Sequence, residues 1–213
     1  MKRIVFWFDV ISPFAWLAFQ RLPQELEGCS HEVMYRPIVF GPLLAHHGQK
    51  GPAEIEPKRA WTFRHVHWLA QHHGIELQTP SVHPFNSLAL QRLALACSPA
   101  GGLPNRRTVQ ALFEHVWTGG GDAADPQRLV ALQAALAPAR DPASDEVKRE
   151  LRAHTDAAIA AGVFGVPSLQ LGDRVFWGLD SLPMLRDALQ GGAWFDGPAW
   201  EREGAPRPGV RRG

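Results

Sequence analysis

The sequence predicts an α/β fold. Three observations carry that expectation. The chain opens on a strand–helix–strand pattern, closes on helix–strand–strand–helix, and holds between them a long helical stretch without strand signals. Its 213 residues suffice for one sizeable core. Apolar residues make up 45% and charged residues 20%, the mix of an ordinary globular protein. The net charge of +1 argues against nucleic acid or an anionic membrane as the main partner.

Residues 4–8, IVFWF, form a short continuous apolar run, which suits a strand buried on both faces. From Ser12 to about Glu27 the period turns helical, with Trp16, Phe19, Leu22 and Leu26 on one face and Gly28 as a stop. Residues 31–39, HEVMYRPIV, predict a second strand with Pro37 near its end. Residues 40–57 are rich in Gly and Pro and predict a loop with at most short helical pieces. Helices are expected over 57–73, stopped at Gly74, over 83–97, and over 108–118. A further one follows Asp125-Pro126, a cap and a first-turn proline.

Ser144 then caps a helix with Asp145 and Glu146 in its first turn and Gly162 at its end. "PSLQL", the turn Gly172-Asp173 and "RVFW" predict a hairpin. A last helix is expected from about Ser181 to Gln190, and residues 193–213 form a loose tail. With the helical block set aside, this is the element order of a thioredoxin-like domain. The expected unit is therefore a single domain, with the thioredoxin part at 1–39 and 144–192 and a helical insertion at about 40–143.

Three short segments could carry chemistry. Ser12 precedes Pro13 at a helix start, where it serves as a plain cap or as the centre of a site. Val166-Pro167 sits just before a strand; Pro167 is either an ordinary trans proline or a cis one. A cis bond would turn the backbone N–H and C=O of Val166 toward the site, free to pair with an extended peptide. Asp180, in "WGLDSLPML", reads as the cap of the last helix. In the functional reading, free N–H groups of that helix start would hold a carboxylate while Asp180 takes a neighbouring ammonium.

Taken together, "FDVISPFAWL", "HPFNSLALQRLALA" and "FGVPSLQLGDRVFWGLDSLPML" resemble the 2-hydroxychromene-2-carboxylate isomerase family, whose relatives are the kappa-class glutathione transferases and the DsbA-like thioredoxin folds. The likeness spans roughly residues 3–190. It implies glutathione as cofactor, an aromatic or conjugated carboxylate as substrate, and a homodimer. Ser12 would face the glutathione sulfur, the backbone of Val166 before Pro167 would pair with the cysteinyl part, and Leu179 and Asp180 would hold the γ-glutamyl end. Phe14, Lys58, Arg59 and Asn86 would lie on the substrate side. Trp16, Trp61, His65, Trp68, Leu179 and Ser181 differ from residues common in the family.

The residue chemistry agrees. Where a thioredoxin-like redox enzyme needs Cys-x-x-Cys, this chain has Ser12-Pro13-Phe14-Ala15, so dithiol exchange is excluded there. A serine hydroxyl at a helix N-terminus can instead stabilise another molecule's thiolate. The implied reaction is isomerisation by reversible thiolate addition, with Lys58 or Arg59 holding the substrate carboxylate or standing as solvated charges. Two alternatives remain: a kappa-like transferase that keeps the adduct, and a redox-inactive binding module that holds a peptide at the Pro167 edge. Cys29 and Cys97 lie far apart and read as reduced thiols of a cytosolic protein. Asp9 and Pro13 interrupt the only run resembling a signal peptide, and no stretch reaches the roughly 18 apolar residues of a membrane span. The ten histidines predict no metal site, because no Cys or carboxylate completes a ligand set around His65, His67, His72 and His73.

Overall fold

The computed structural model describes residues 1–205. Its centre is a four-stranded sheet in the order β2-β1-β3-β4. β1 (Lys2–Phe8) lies inside, parallel to β2 (His31–Pro37) and antiparallel to β3 (Ser168–Leu171); β4 (Arg174–Trp177) forms the other edge. The register aligns Tyr35, Phe6, Leu169 and Phe176 across all four strands. That row belongs to the main core. Trp7 points the other way, into a second cluster with Ile38, Leu43 and Val163. The continuous apolar run is thus explained: alternate residues of β1 serve two different cores.

Helices cover both faces. α1 (Pro13–Glu25) buries Trp16, Phe19 and Leu22 in the main core and ends before Leu26, with Gly28 at φ +80°. α2 (Phe40–His46) and the 3-10 turn Pro52–Glu54 are the short helical pieces expected in the 40–57 loop. α3 (Glu56–His73) ends at Gly74 in the left-handed conformation. α4 (Leu88–Ala96), α5 (Arg106–Trp117) and α6 (Pro126–Leu136) follow. α5 buries Val109, Leu112, Phe113, Val116 and Trp117, so its apolar face closes the main core from the helical block. α7 (Asp145–Ala160) carries the predicted Ser144 cap, whose side chain accepts from Val147 N. α8 (Leu182–Gln190) closes the thioredoxin-like part.

Three boundaries depart from the sequence expectation. The helix expected over 83–97 starts only at Leu88. Pro84 lacks an N–H and disfavours helical backbone at His83, and Asn86 Oδ1 accepts from Leu88 N at the true start. Asp180 does not cap the last helix: it sits in a 3-10 turn, Leu179–Ser181, and α8 has no side-chain cap at all. Residues 193–204, expected to be loose, carry α9 (Ala193–Asp196) and α10 (Ala199–Gly204). Phe195 is 3% exposed, and its ring and that of Trp200 pack on Phe176. Three aromatics outweigh the Gly/Pro-rich composition there. The rest of that expected tail, 206–213, lies outside the described residues. No helix among the described residues is long and apolar enough to cross a membrane.

Candidate functional site

Ser12 caps α1 from an extended backbone (φ −89°, ψ 117°), and its Oγ accepts from Ala15 N at 3.2 Å. The same hydroxyl donates to the carbonyl of Val166 at 3.2 Å, although the two residues are 154 positions apart. The Val166–Pro167 bond is cis. The fold therefore joins two of the three short segments through one hydroxyl. Ser12 is 8% exposed and Val166 7%.

A cavity of about 500 Å³ opens beside this contact, a size suited to a small organic ligand. Phe14 of α1 and Val166, Pro167 and Trp177 of the sheet side form its less polar part. Gly178, Leu179 and Asp180 line it from the start of the α8 segment. Gly178 is required there: its φ is +93°, and a Cβ would stand 2.5 Å from Asp180 Oδ1. Gly165 is constrained by space alone, because a Cβ there would crowd the Trp177 indole.

The structure thus gathers Ser12, Phe14, Val166, Pro167, Leu179 and Asp180 in and around one cavity. The other three expected residues lie elsewhere. Lys58 and Arg59 are exposed in the first turns of α3, and Asn86 is exposed with its Oδ1 engaged by Leu88 N. None of the three lines the cavity. Arg59 instead lies near His83, whose pKa falls below the usual range through burial first and the nearby guanidinium second, against the pull of its bond to Ile11.

Of the other lining residues, Arg21, Glu25 and Leu69 were not singled out from the sequence, and His65 and His73 figure there only as metal-ligand candidates or as a departure from the family. Arg21 and Glu25 pair on α1, about two and three turns beyond Phe14 on the same face. His65, Leu69 and His73 recur at four-residue intervals on α3. Both sets follow helical periodicity, so the signal was present, but only the packing of α1 against α3 makes the two faces meet. The His65 ring stands 5.8 Å from that of Phe14. Burial and then Arg21 and His72 hold the pKa of His73 below its ordinary value, against the pull of Glu25.

The turn that presents Ser12 is held on all sides. Gln91 of α4 donates to Phe8 O at 2.9 Å, Trp117 of α5 to Val10 O at 2.8 Å, and His83 Nε2 stands 3.0 Å from Ile11 O. Because a carbonyl only accepts, Nε2 carries the proton there. Neither cysteine lines the cavity. Cys97 follows α4, and burial pushes its thiol up, away from the thiolate form.

Comparisons with known proteins agree with this fold. The family model of the DSBA-like thioredoxin domain matches residues 3–190. A 2-hydroxychromene-2-carboxylate isomerase of Sphingobium xenophagum is 31% identical over 88% of this chain and 98% of its own. Glutathione S-transferase kappa 2 of Caenorhabditis elegans is 24% identical over 95% of this chain and 97% of its own. Among solved structures, a 2-hydroxychromene-2-carboxylate isomerase superposes with a TM-score of 0.76 at 25% identity, covering 91% of this chain and 97% of that one.

Proposed function

The chain belongs to the DSBA-like thioredoxin domain family, among the relatives of 2-hydroxychromene-2-carboxylate isomerase, and from that premise we propose that it is a glutathione-dependent isomerase acting on an aromatic or conjugated carboxylate. The observation that carries the reading is the Ser12–Val166 contact on the wall of a small-molecule cavity, in a site whose own residues contain no sulfur. The residues present fit the cofactor. Ser12 Oγ is a hydroxyl donor at the positive end of α1, the place where an anion is favoured. Val166 supplies backbone N–H and C=O for the cysteinyl unit, and Asp180 an acceptor for the α-ammonium of the γ-glutamyl end.

A bound glutathione would supply a thiolate for reversible addition to a conjugated carbon, which would free rotation about the bond made single. Ser12 gives up its bond to Val166 O and turns its proton to the sulfur, which lowers the thiol pKa. The carbonyl so released needs a new donor, and a cysteinyl N–H is one. A thiol without an adjacent amide would leave that carbonyl unpaired and bind less well. Phe14, His65 and Trp177 give the rest of the cavity its aromatic character. Lys58 and Arg59, in the first turns of α3 and outside the cavity lining, would hold the substrate carboxylate. A homodimer in the cytoplasm completes the reading, checked by light scattering and by fractionation.

The test is a calorimetric titration of glutathione into wild type and Ser12→Ala at several pH values. Wild type is expected to bind and to release protons near neutral pH, and Ser12→Ala to bind without that release. If neither binds, the redox-inactive peptide-binding reading takes its place. Similarity to a kappa transferase supports a second reading, conjugation. Product analysis separates the two: an isomerase regenerates glutathione, a transferase consumes it.

A further inference from the structure

One buried carboxylate has no part in that chemistry. Asp9 ends the turn entry from β1, three residues before Ser12, and is 1% exposed. Its Oδ1 accepts from Ile11 N at 3.1 Å; its Oδ2 accepts from Phe40 N at 2.9 Å and from Ser87 Oγ at 2.9 Å. Its backbone carbonyl accepts from Ser12 N at 3.1 Å. A single side chain thereby ties the Ser12 turn to the start of α2 and to the residue before α4. Burial is the dominant influence on its pKa and carries it up to about 6, against those three hydrogen bonds. At neutral pH the group is therefore ionised inside the protein, which is unfavourable for the fold.

We propose that Asp9 is a positioning residue: through the Ile11 amide and the Asp9 carbonyl it fixes Ser12 Oγ for the ligand sulfur, with Phe40 and Ser87 anchoring the carboxylate to the helical block. The inference rests on the glutathione reading above. It assigns Asp9 no contact with the ligand. Its effect must therefore pass through Ser12, and that is what a double-mutant cycle measures.

The experiment titrates glutathione at pH 7.5 into wild type, Asp9→Asn, Ser87→Ala, Ser12→Ala and both double variants. Asp9→Asn keeps the shape and one acceptor oxygen but loses the second. It is expected to weaken binding about tenfold and to abolish the proton release that Ser12 confers. Ser87→Ala, a milder change that removes one donor, is expected to weaken binding two- to threefold. In the Ser12→Ala background neither change should alter affinity. Equal losses in both backgrounds would show Asp9 to be a fold support only and would overturn the proposal. So would wild-type affinity and proton release in both Asp9→Asn and Ser87→Ala. If Asp9→Asn does not fold, Ser87→Ala decides by the same criterion. Failure of wild type itself to bind glutathione would remove the functional reading and this inference together, a result distinct from the other two.

Discussion

At the scale of single residues, the site is a set of hydrogen-bond choices. Ser12 Oγ has one proton, given to Val166 O, and its lone pairs serve Ala15 N. Ser12→Ala removes the cap and the link together, which should cost about 0.5–2 kcal/mol of stability, measurable by urea denaturation. Asp9 should leave a signature in the pH dependence of stability. Its folded pKa of about 6 lies above its ordinary 3.8, so its stabilising contribution is complete below about pH 4 and is lost as pH rises through 6. The difference corresponds to roughly 3 kcal/mol between the two limits. His83, His115 and His154 act in the opposite sense, since burial lowers their pKa values and acid therefore weakens the fold. These terms are common to wild type and Asp9→Asn. The melting temperature of Asp9→Asn relative to wild type is therefore expected to fall between pH 7.5 and pH 5. A constant difference would mean that Asp9 does not titrate there. Gly178→Ala should weaken glutathione binding and cost about 1–3 kcal/mol, because a Cβ meets Asp180 Oδ1 at a positive φ.

At the scale of elements, helix starts were legible at Ser12, Asp125 and Ser144, where a side chain supplies the missing partner, but not at Asn105, whose Oδ1 accepts from Thr108 N and starts α5 two residues before the expected 108. Asp125 and Ser144 cap α6 and α7 as their sequence contexts predict. The exceptions are instructive. α8 starts at Leu182 without a side-chain cap, because the 3-10 turn Leu179–Ser181 and Gly178 satisfy that backbone, with Ser181 Oγ donating to Gly178 O. Asp180 is thereby left lining the cavity, a consequence that no local pattern contains. α5 shows the reverse, a face whose role is plain from periodicity. Phe113 is fully buried against Phe8, Trp16 and Phe19, so Phe113→Ala should destabilise the protein by about 3–5 kcal/mol in chemical denaturation.

At the scale of the whole molecule, the helical block does more than enlarge the core. Gln91, Trp117, His83 and Ser87 all reach the 8–12 turn from it, by direct bonds or through Asp9. Trp117→Phe keeps an aromatic ring but drops the bond to Val10 O. It is expected to cost about 1–3 kcal/mol and to weaken glutathione binding as well, with stability read by denaturation and affinity by calorimetry. The sequence by itself determined the α/β class, the strand–helix order, the caps of α1, α6 and α7, and the absence of a sulfur pair at residues 12–15. Those are properties of neighbours in the chain: periodicity, turn chemistry and the presence or absence of a reactive atom. Only the tertiary structure decided that Ser12 bonds Val166, that Arg21, Glu25, His65 and His73 share a cavity with Asp180, that Lys58, Arg59 and Asn86 stand apart from it, and that Asp9 is buried. The reason is physical: a cavity and a buried charge are set by which faces pack together, and that depends on contacts between residues far apart in sequence.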